Sequence, residues 1–169
     1  MIGEPVVLNQ QTRCALDLSA LRRYVARVRQ GLQLGRRSFN VCLMDDRGIR
    51  RLNGTFRGKT YPTDVLSFPW KGADQNGANA AESREFGNFL GDVVISVDTA
   101  RRNAGREGHS TINEIRWLIL HGALHLLGYD HEQDNGEMVR LELSLRERLG
   151  IAGSLAPRRR HAGARRAHV

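Results

Sequence analysis

Residues 121–131 read His-Gly-Ala-Leu-His-Leu-Leu-Gly-Tyr-Asp-His, which places three imidazoles around a helical pattern and a glycine. His121 and His125 are four residues apart, so on a helix both rings leave the same face about one turn apart. Gly128 favours the left-handed conformation that ends a helix, and the chain can then turn back to bring His131 to the same point. Three imidazoles with one open position are typical of a catalytic zinc site, whereas structural zinc sites are closed by four protein ligands. The segment therefore predicts a metal centre.

The helix that carries the first two histidines is predicted to lie at the centre of the fold. Thr111 and Glu114 have the spacing of a capping box, which places the start of the helix there. Apolar residues follow on most faces of the helix, a pattern typical of a helix that is buried all round. These apolar positions are Ile112, Ile115, Leu118, Ile119, Ala123, Leu126 and Leu127.

Shorter patterns on either side predict a small sheet and further helices. Apolar runs, some alternating with polar residues, predict strands at residues 5–8, 39–43, 65–68 and 90–96. Helical spacing and capping residues predict helices at about 17–32, 49–53, 98–107 and 135–149, with a turn at 45–48. This mixture indicates an α+β domain, in which a small mixed β-sheet is surrounded by helices and the metal site lies on a central helix.

Length and composition fit one folded domain in a reducing compartment. A chain of 169 residues suits a single domain that buries roughly 70% of its unfolded surface, so no disulfide or metal is needed merely to hold it together. The two cysteines, Cys14 and Cys42, exclude a disulfide scaffold and a cysteine-based zinc finger. The apolar runs are too short to span a membrane, and the first residues do not read as a secretory signal.

The net charge of +8 is concentrated at the C-terminus, where five arginines fall within the last 12 residues. We therefore expect a globular domain over residues 1–152 and a basic, disordered tail over residues 153–169. A tail of this kind suits RNA or another polyanion, and it suits equally a merely solubilising role. The segment 71–87, rich in Gly, Ala, Asn and Ser, is predicted to be a mobile loop.

The histidine spacing equals that of the metzincin proteases, but one residue differs. Those enzymes carry a glutamate directly after the first histidine as the general base. This chain has Gly122 at that position. A zinc-dependent peptidase would need a carboxylate from elsewhere, with Asp64, Asp92 or Glu132 as the nearby options. The peptidase reading stays open as an alternative, and it is weakened by the missing glutamate.

Three blocks of sequence together resemble the YbeY endoribonucleases, a family also called rRNA maturation factors. The blocks are residues 52–69 (LNGTFRGKTYPTDVLSFP), residues 90–96 (LGDVVIS) and residues 121–131, the last followed by Glu132, Met138 and Glu142. They lie within residues 38–150, which is most of the globular part. Thr60 departs from the family, which usually has Asp after the lysine. The loop at 71–87 and the arginine-rich tail look particular to this chain.

The resemblance implies a zincin-like fold with one metal ion bound by His121, His125 and His131. It also implies a cytoplasmic endoribonuclease specific for single-stranded RNA. Such enzymes act on ribosomal RNA precursors, in maturation of the 3′ end of small-subunit ribosomal RNA, and in ribosome quality control. The expected partners are the ribosome or its small subunit, a small-subunit protein and an Era-type GTPase, with no membrane. Zinc is the expected metal, although three imidazoles also suit nickel or copper.

The resemblance places the family's functional arginine at Arg57, where a guanidinium can pair with a phosphate through two hydrogen bonds. Lys59 is a weaker candidate for contact with the RNA backbone. Asp64 and Ser67 are expected to fix the loop that presents Arg57. Asp92 interrupts an otherwise apolar strand, where it either lines the cleft or caps the strand.

The motif residues support a hydrolytic mechanism with its general base left open. A bound zinc ion lowers the pKa of a coordinated water toward ~7 and polarises the scissile phosphate, while Arg57 stabilises the developing negative charge. Metal-bound hydroxide or a 2′-hydroxyl of the RNA can be the nucleophile. Asp130 and Glu132 either orient the ligands or are solvated at the turn. His109, His161 and His168 are read as surface residues. A non-catalytic ribosome-assembly factor with a structural metal remains the second alternative.

Overall fold

The structure, a computed structural model, describes residues 5–70 and 87–151. Four strands and five helices are described in these two ranges. In chain order they are β1 (Val7–Asn9), α1 (Leu18–Gly31), β2 (Ser38–Met44), α2 (Asp46–Arg57), β3 (Val65–Pro69), β4 (Phe89–Ser96), α3 (Val97–Glu107), α4 (Thr111–Leu126) and α5 (Glu137–Leu149). The predicted α+β class is confirmed.

The four strands form one mixed sheet in the order β1-β2-β4-β3. The pairs β1–β2 and β2–β4 are parallel, whereas β3 runs antiparallel to β4 and forms an edge of the sheet. Val93 lies at the middle of the register, opposite Val41 on one side and Ser67 on the other. Pro69, which the sequence places just after the strand, belongs to β3. An edge strand tolerates a proline because its outward side needs no ladder hydrogen bond.

Helices cover both faces of the sheet, and neighbouring residues of β4 show which helix lies where. Successive side chains of a strand point to opposite faces. Val93 packs in the large core with α1 and α4, and α5 packs against those two helices in the same core. Val94 packs in a second, smaller cluster with Ile49 of α2 and Leu66 of β3. The helix α4 therefore lies on one face of the β3–β4 pair, and α2 lies on the other.

The central position predicted for α4 is confirmed. Of its residues, Ile115, Leu118, Ile119, Leu120 and Leu124 have no exposed surface. The start of the helix differs from the prediction, because Ser110 is the N-cap and its hydroxyl accepts a hydrogen bond from the Asn113 N–H. Thr111 is instead the first helical residue. Ser and Thr are adjacent here and either can cap a helix, so the sequence signal was off by one residue.

The largest correction concerns residues 45–57. The sequence predicts a turn at 45–48 and a short helix at 49–53, but α2 begins at Asp46 and continues to Arg57. Asp45 caps it by accepting a hydrogen bond from the Gly48 N–H, so the predicted turn is the first turn of the helix. Gly58, with φ +62°, ends it. Smaller differences shift the first strand to 7–9 and start the last helix at 137.

Two predicted segments lie outside the described residues. These are the loop at 71–87, apart from Gly87, and the basic tail at 153–169. Within the described ranges, no helix is both long enough and apolar enough to cross a membrane.

A polar cluster joins α2 to α3 through Asp46. Its carboxylate accepts hydrogen bonds from the hydroxyls of Ser96 and Thr99, both at 2.6 Å, and from the Arg102 guanidinium at 2.7 Å. Burial acts to raise the pKa of Asp46, but the three hydrogen bonds outweigh burial and lower the pKa below its ordinary value. The ionised carboxylate therefore stabilises the fold.

We expect Asp46→Asn to lower the free energy of unfolding by about 1–2 kcal/mol at neutral pH, because Arg102 and two hydroxyls lose a charged acceptor. A lowered folded-state pKa gives stability that is present above the unfolded value of about 3.9 and is lost as the pH falls. The wild type and Asp46→Asn should therefore differ less in free energy of unfolding at about pH 3 than at neutral pH. Urea unfolding at both pH values measures it. Asp17→Asn is the matched control, since Asn caps α1 as well as Asp does, and an equal Asp46→Asn effect at both pH values contradicts the assignment.

Candidate metal centre

The three motif histidines converge at the C-terminal end of α4. The Nε2 atoms of His121 and His125 are 3.2 Å apart, and both side chains are buried. The candidate ligand atoms of His121, His125 and His131 all lie within 4.8 Å of one another. Two nitrogens bound to one tetrahedral zinc ion are about 3.3–3.4 Å apart, given Zn–N bonds of about 2.0–2.1 Å. The cluster can therefore hold a metal ion.

The turn after α4 brings the third histidine back. The helix ends at Leu126, and Gly128 adopts φ +99°, a conformation that glycine takes without strain. The Tyr129 N–H then donates to the carbonyl of Leu124, which folds the chain back along the end of the helix. The predicted sequence of helix, glycine and return is confirmed by these contacts.

The same turn sets the protonation of His125. Its Nδ1 lies 3.0 Å from the carbonyl oxygen of Tyr129, and a carbonyl only accepts, so Nδ1 carries the proton and Nε2 keeps its lone pair. Burial, followed by the proximity of His121 and His131, lowers the pKa of His125 to about 3. The ring is therefore neutral at physiological pH, which is the form that binds a metal.

Glu142 supports His121 from a separate helix. Its carboxylate oxygens lie 3.4 and 3.5 Å from Nδ1 of His121, and the side chain is buried on α5. A carboxylate on the far nitrogen of a ligating histidine fixes the tautomer and raises the basicity of the ligand. The sequence contains a signal for this role, since Glu142 lies on the inward stripe of α5 between Met138 and Leu145. An acid on an apolar stripe needs a buried partner, and only the fold identifies which.

Two further observations fit a metal ion at this position. The Nδ1 atom of His131 is buried without a hydrogen-bond partner. Buried polar atoms are nearly always paired, so an unpaired imidazole nitrogen among two other imidazoles matches a ligand set. The Trp117 ring, one turn before His121 on the helix, stacks on the His121 ring with centroids 5.0 Å apart. This contact holds the His121 imidazole in place. The donor set of three imidazoles suits zinc, nickel or copper.

Gly122 lies where α4 packs tightly against β3 and β4. A Cβ atom at this position would lie 2.5 Å from Cγ1 of Val93 and 3.2 Å from Oγ of Ser67. The Ser67 hydroxyl in turn donates to the carbonyl of Gly122 at 3.1 Å. No side chain fits between the helix and the strands. A glutamate could not occupy this position, so the absence of the metzincin base follows from the packing as well as from the sequence.

Arg57 and Lys59 lie across the sheet from the histidines. Arg57 is the half-buried last residue of α2, next to Phe56, whose ring contacts Phe68 of β3 with centroids 5.1 Å apart. The expectation of a loop presenting Arg57 is wrong, because the residue ends a helix. Lys59 is exposed just beyond Gly58, and its N–H donates to the Asn53 carbonyl. Both residues lie near the edge strand that separates α2 from α4.

The two polar residues expected to fix that loop have other contacts. Asp64 accepts a hydrogen bond from its neighbour Val65 at the start of β3, and it also accepts one from the Asn103 side chain of α3. Ser67 bonds to α4, as described above. These contacts attach β3 to α3 and α4.

Asp92 lies on the α2 face of the sheet, since Val93 faces α4. Its carboxylate accepts a hydrogen bond from the Asn40 side chain on the neighbouring strand at 3.0 Å. The structure therefore does not place Asp92 with the three histidines. Asp130 accepts from the Glu132 N–H at 3.0 Å, which makes it part of the turn, and Glu132 is exposed.

His109 is not a simple surface residue as the sequence suggests. Its Nε2 lies 2.6 Å from the carboxylate of Glu114, a side chain with no exposed surface at the start of α4. This pair satisfies a buried acid that the sequence assigned to a capping box. His161 and His168 lie outside the described residues.

A family model described as "Endoribonuclease YbeY" matches residues 7–150 of this chain. The chain belongs to the YbeY endoribonuclease family. A relative from Nautilia profundicola, named Endoribonuclease YbeY, is 45% identical over 122 residues, covering 72% of this chain and 79% of its own. The protein of the same name from Solibacter usitatus is 40% identical over 152 residues, covering 90% of this chain and 92% of its own.

The fold is also similar to a solved structure. A Thermotoga maritima protein determined in solution superposes with a TM-score of 0.57 and 25% identity, covering 85% of this chain and 87% of that one. The predictions of the YbeY family, a zincin-like α+β fold and a metal-dependent endoribonuclease are confirmed by these matches together with the histidine cluster.

We expect Glu142→Gln to weaken zinc binding by about 10- to 100-fold, because the amide no longer stabilises the proton on Nδ1 of His121 as a carboxylate does. Competition with a zinc chelator at pH 7 measures the affinity. Glu147→Gln on the same helix removes the same charge at an exposed position and is the matched control. If both variants bind zinc like the wild type, Glu142 does not orient the site.

We expect Gly122→Ala to lower the free energy of unfolding by about 1–3 kcal/mol, because Val93 is a buried β-branched residue that cannot move aside. The control is Gly105→Ala in α3, where a Cβ atom would meet nothing within 4 Å. That control should be neutral or slightly stabilising, since Ala is the better helix former. Urea unfolding compares the two, and equal stability of both variants contradicts the close packing.

Proposed function

We propose that this chain is a metal-dependent endoribonuclease that cuts single-stranded RNA, and that it acts on ribosomal RNA precursors. The observation that carries the proposal is the cluster of three histidines at the end of α4, in a chain whose relatives are named endoribonucleases. The finer roles, maturation of the small-subunit 3′ end and ribosome quality control, are supported by the sequence blocks shared with the family.

His121, His125 and His131 would hold the metal ion, with zinc the first candidate and nickel or copper the alternatives. Zinc in such a site supplies Lewis acidity and lowers the pKa of a bound water toward ~7. The protein contributes the geometry. Glu142 and the Tyr129 carbonyl orient the imidazoles so that their lone pairs converge. Trp117 and the buried apolar residues of α4 shield the histidines from solvent on the side of the core.

The reaction breaks one P–O bond of the RNA backbone and builds negative charge on the phosphoryl oxygens. A guanidinium matches a phosphate through paired hydrogen bonds and stays charged at every relevant pH. We assign this role to Arg57 on the family resemblance and on its position at the end of α2 beside the edge strand β3, and we assign contact with the RNA backbone to Lys59. Asp92 faces α2, on the same side of the sheet as these two residues, and it remains a proposed substrate-binding residue whose carboxylate accepts a hydrogen bond from Asn40.

The peptidase alternative is less well supported, because the packing at Gly122 leaves no room for a glutamate that could act as general base next to His121. An assembly factor would also bind the metal and RNA but would not cleave the RNA, so a cleavage assay decides between this alternative and the enzyme.

We place the chain in the cytoplasm. The proposed partners are the ribosome or its small subunit, a small-subunit protein and an Era-type GTPase. We also retain one hydrolase domain over residues 1–152 with a basic tail, which the family match to residues 7–150 supports.

The test is cleavage of a labelled RNA that contains single- and double-stranded segments. Cuts should be confined to the single-stranded part, and chelation should abolish them until zinc is restored. His125→Ala should lose at least about 100-fold in rate through loss of the metal, and Arg57→Ala about 100-fold through loss of charge stabilisation. Arg23→Ala, at an exposed position on α1, is the control and should cut normally.

Undiminished cutting by His125→Ala would show that a contaminating nuclease is responsible and would contradict the proposal. Metal and RNA binding without cutting by the wild type would favour the assembly factor. Cleavage of unfolded protein instead of RNA would favour the peptidase.

A further inference from the structure

Helix α2 presents a row of arginines to solvent. Arg47, Arg50 and Arg51 are all exposed and lie three and four residues apart, so they share one face of the helix. The opposite face, with Ile49 and Leu52, packs on the sheet. None of the three arginines forms an ion pair with any residue in the described part of the chain. The row is therefore available to a polyanion.

One exposed aromatic ring follows the C-terminal end of this row. Tyr61 has 47% of its surface exposed. Phe56 lies four residues after Leu52, so it belongs to the sheet-facing side of α2, where it contacts Phe68. An exposed tyrosine ring is available for contact with a ligand.

The segment that carries Tyr61 is anchored to α2. The buried Asn53 side chain donates to the carbonyl of Tyr61 at 2.8 Å, and the Asn53 carbonyl accepts from the Lys59 N–H at 3.2 Å. The ring of Tyr61 and the ammonium of Lys59 are thus presented from a backbone that is fixed to α2. Pre-organised rings lose little entropy when a base stacks on them.

We propose that these residues form a docking surface for single-stranded RNA outside the metal centre, which we call the α2 platform: Arg47, Arg50, Arg51, Lys59 and Tyr61. Proteins that bind single strands combine a positively charged track for the backbone with aromatic rings on which bases stack. The α2 platform has both parts in one 15-residue stretch. An acidic protein partner would use the arginines, whereas the exposed ring of Tyr61 favours a partner that also offers bases for stacking. The proposal rests on the proposed function, since it names where the substrate lies.

The C-terminal end of α2, from which Lys59 and Tyr61 follow, contacts one face of the edge strand β3, and the helix of the metal centre contacts the other. Phe68 of β3 contacts Phe56 on one face, and Ser67, the preceding residue, bonds to Gly122 next to His121 on the other. The β3 strand is at the edge of the sheet, so nothing in the sheet lies beyond it. A strand of RNA on the α2 platform reaches the histidines by passing round this edge. The α2 platform therefore binds nucleotides adjacent to the cut rather than the scissile phosphate itself.

The experiment measures binding without cleavage. The full chain carrying His125→Ala is titrated against a fluorescently labelled single-stranded oligoribonucleotide of about ten nucleotides, at several salt concentrations. Two platform variants are added to that background, Tyr61→Leu and the pair Arg50→Ala with Arg51→Ala. The matched controls are Tyr61→Trp, which keeps a ring, and the pair Arg22→Ala with Arg23→Ala, which removes two exposed arginines from α1.

We expect the Arg50/Arg51 pair to weaken binding about tenfold and to reduce the slope of log affinity against log salt by about 1.4, since each lost phosphate contact on a single strand is worth about 0.7. Tyr61→Leu should weaken binding about tenfold with the slope unchanged, because it removes stacking and no charge. Both controls should bind like the background protein. A duplex of the same length should not distinguish Tyr61→Leu from Tyr61→Trp.

An equal loss from the α1 pair, or no loss from Tyr61→Leu, would overturn the α2 platform. Binding of polyglutamate that depends on Arg50 and Arg51, with RNA binding unaffected, would overturn it in favour of an acidic protein partner. RNA cleavage by the protein that retains His125 is measured in a separate assay. Failure to cut contradicts the proposed function and leaves the binding result standing, so the two proposals fail in different ways.

Discussion

The close packing of α4 on the strands β3 and β4 is the constraint on which the rest of the structure depends. It is possible only because Gly122 has no side chain where the helix meets Val93 and Ser67. This contact fixes the height and rotation of α4 above the sheet, and therefore the position of His121 and His125. It also excludes a catalytic carboxylate from the position next to His121. One residue thus sets both the geometry of the metal centre and a limit on its chemistry.

The metal centre is assembled from three separate pieces of the chain that meet at the end of α4. The helix supplies His121 and His125, the turn after Gly128 supplies His131, and α5 supplies Glu142. Burial lowers the pKa of His125 and keeps that imidazole neutral, and the carbonyl of Tyr129 and the carboxylate of Glu142 lie against the far nitrogens of His125 and His121. Both contacts leave the lone pair of the other imidazole nitrogen directed toward the centre of the histidine cluster. On the other face of the sheet, the end of α2 contacts the same edge strand through Phe56, and its exposed arginines face away from the sheet.

Predictions from sequence succeeded where a signal was local and strong. The apolar pattern of residues 111–127 identified a central helix, and the spacing of three histidines around Gly128 identified the metal centre, because helical periodicity and glycine conformation are properties of short segments. Predictions failed where tertiary contacts override weak local signals. The segment 45–57 reads as a turn and a short helix because of Gly48 and Gly54, yet packing of Ile49 and Leu52 on the sheet stabilises one continuous helix. The partners of Glu114 and Glu142 could not be predicted from the sequence either. Glu114 pairs with His109 in the preceding turn, and Glu142 pairs with His121 of another helix.

The sequence by itself determined the class of fold, the family and the three histidines that converge, since periodicity, capping and motif spacing are written along the chain. Only the tertiary structure decided that Glu142 supports His121, that Gly122 is required by Val93, and that Asp92 lies across the sheet from the histidines. It also decided that Arg57 ends a helix beside the edge strand. The physical reason is that these relations depend on which faces of the sheet two helices cover, and that choice follows from burial summed over the whole core rather than from any one segment.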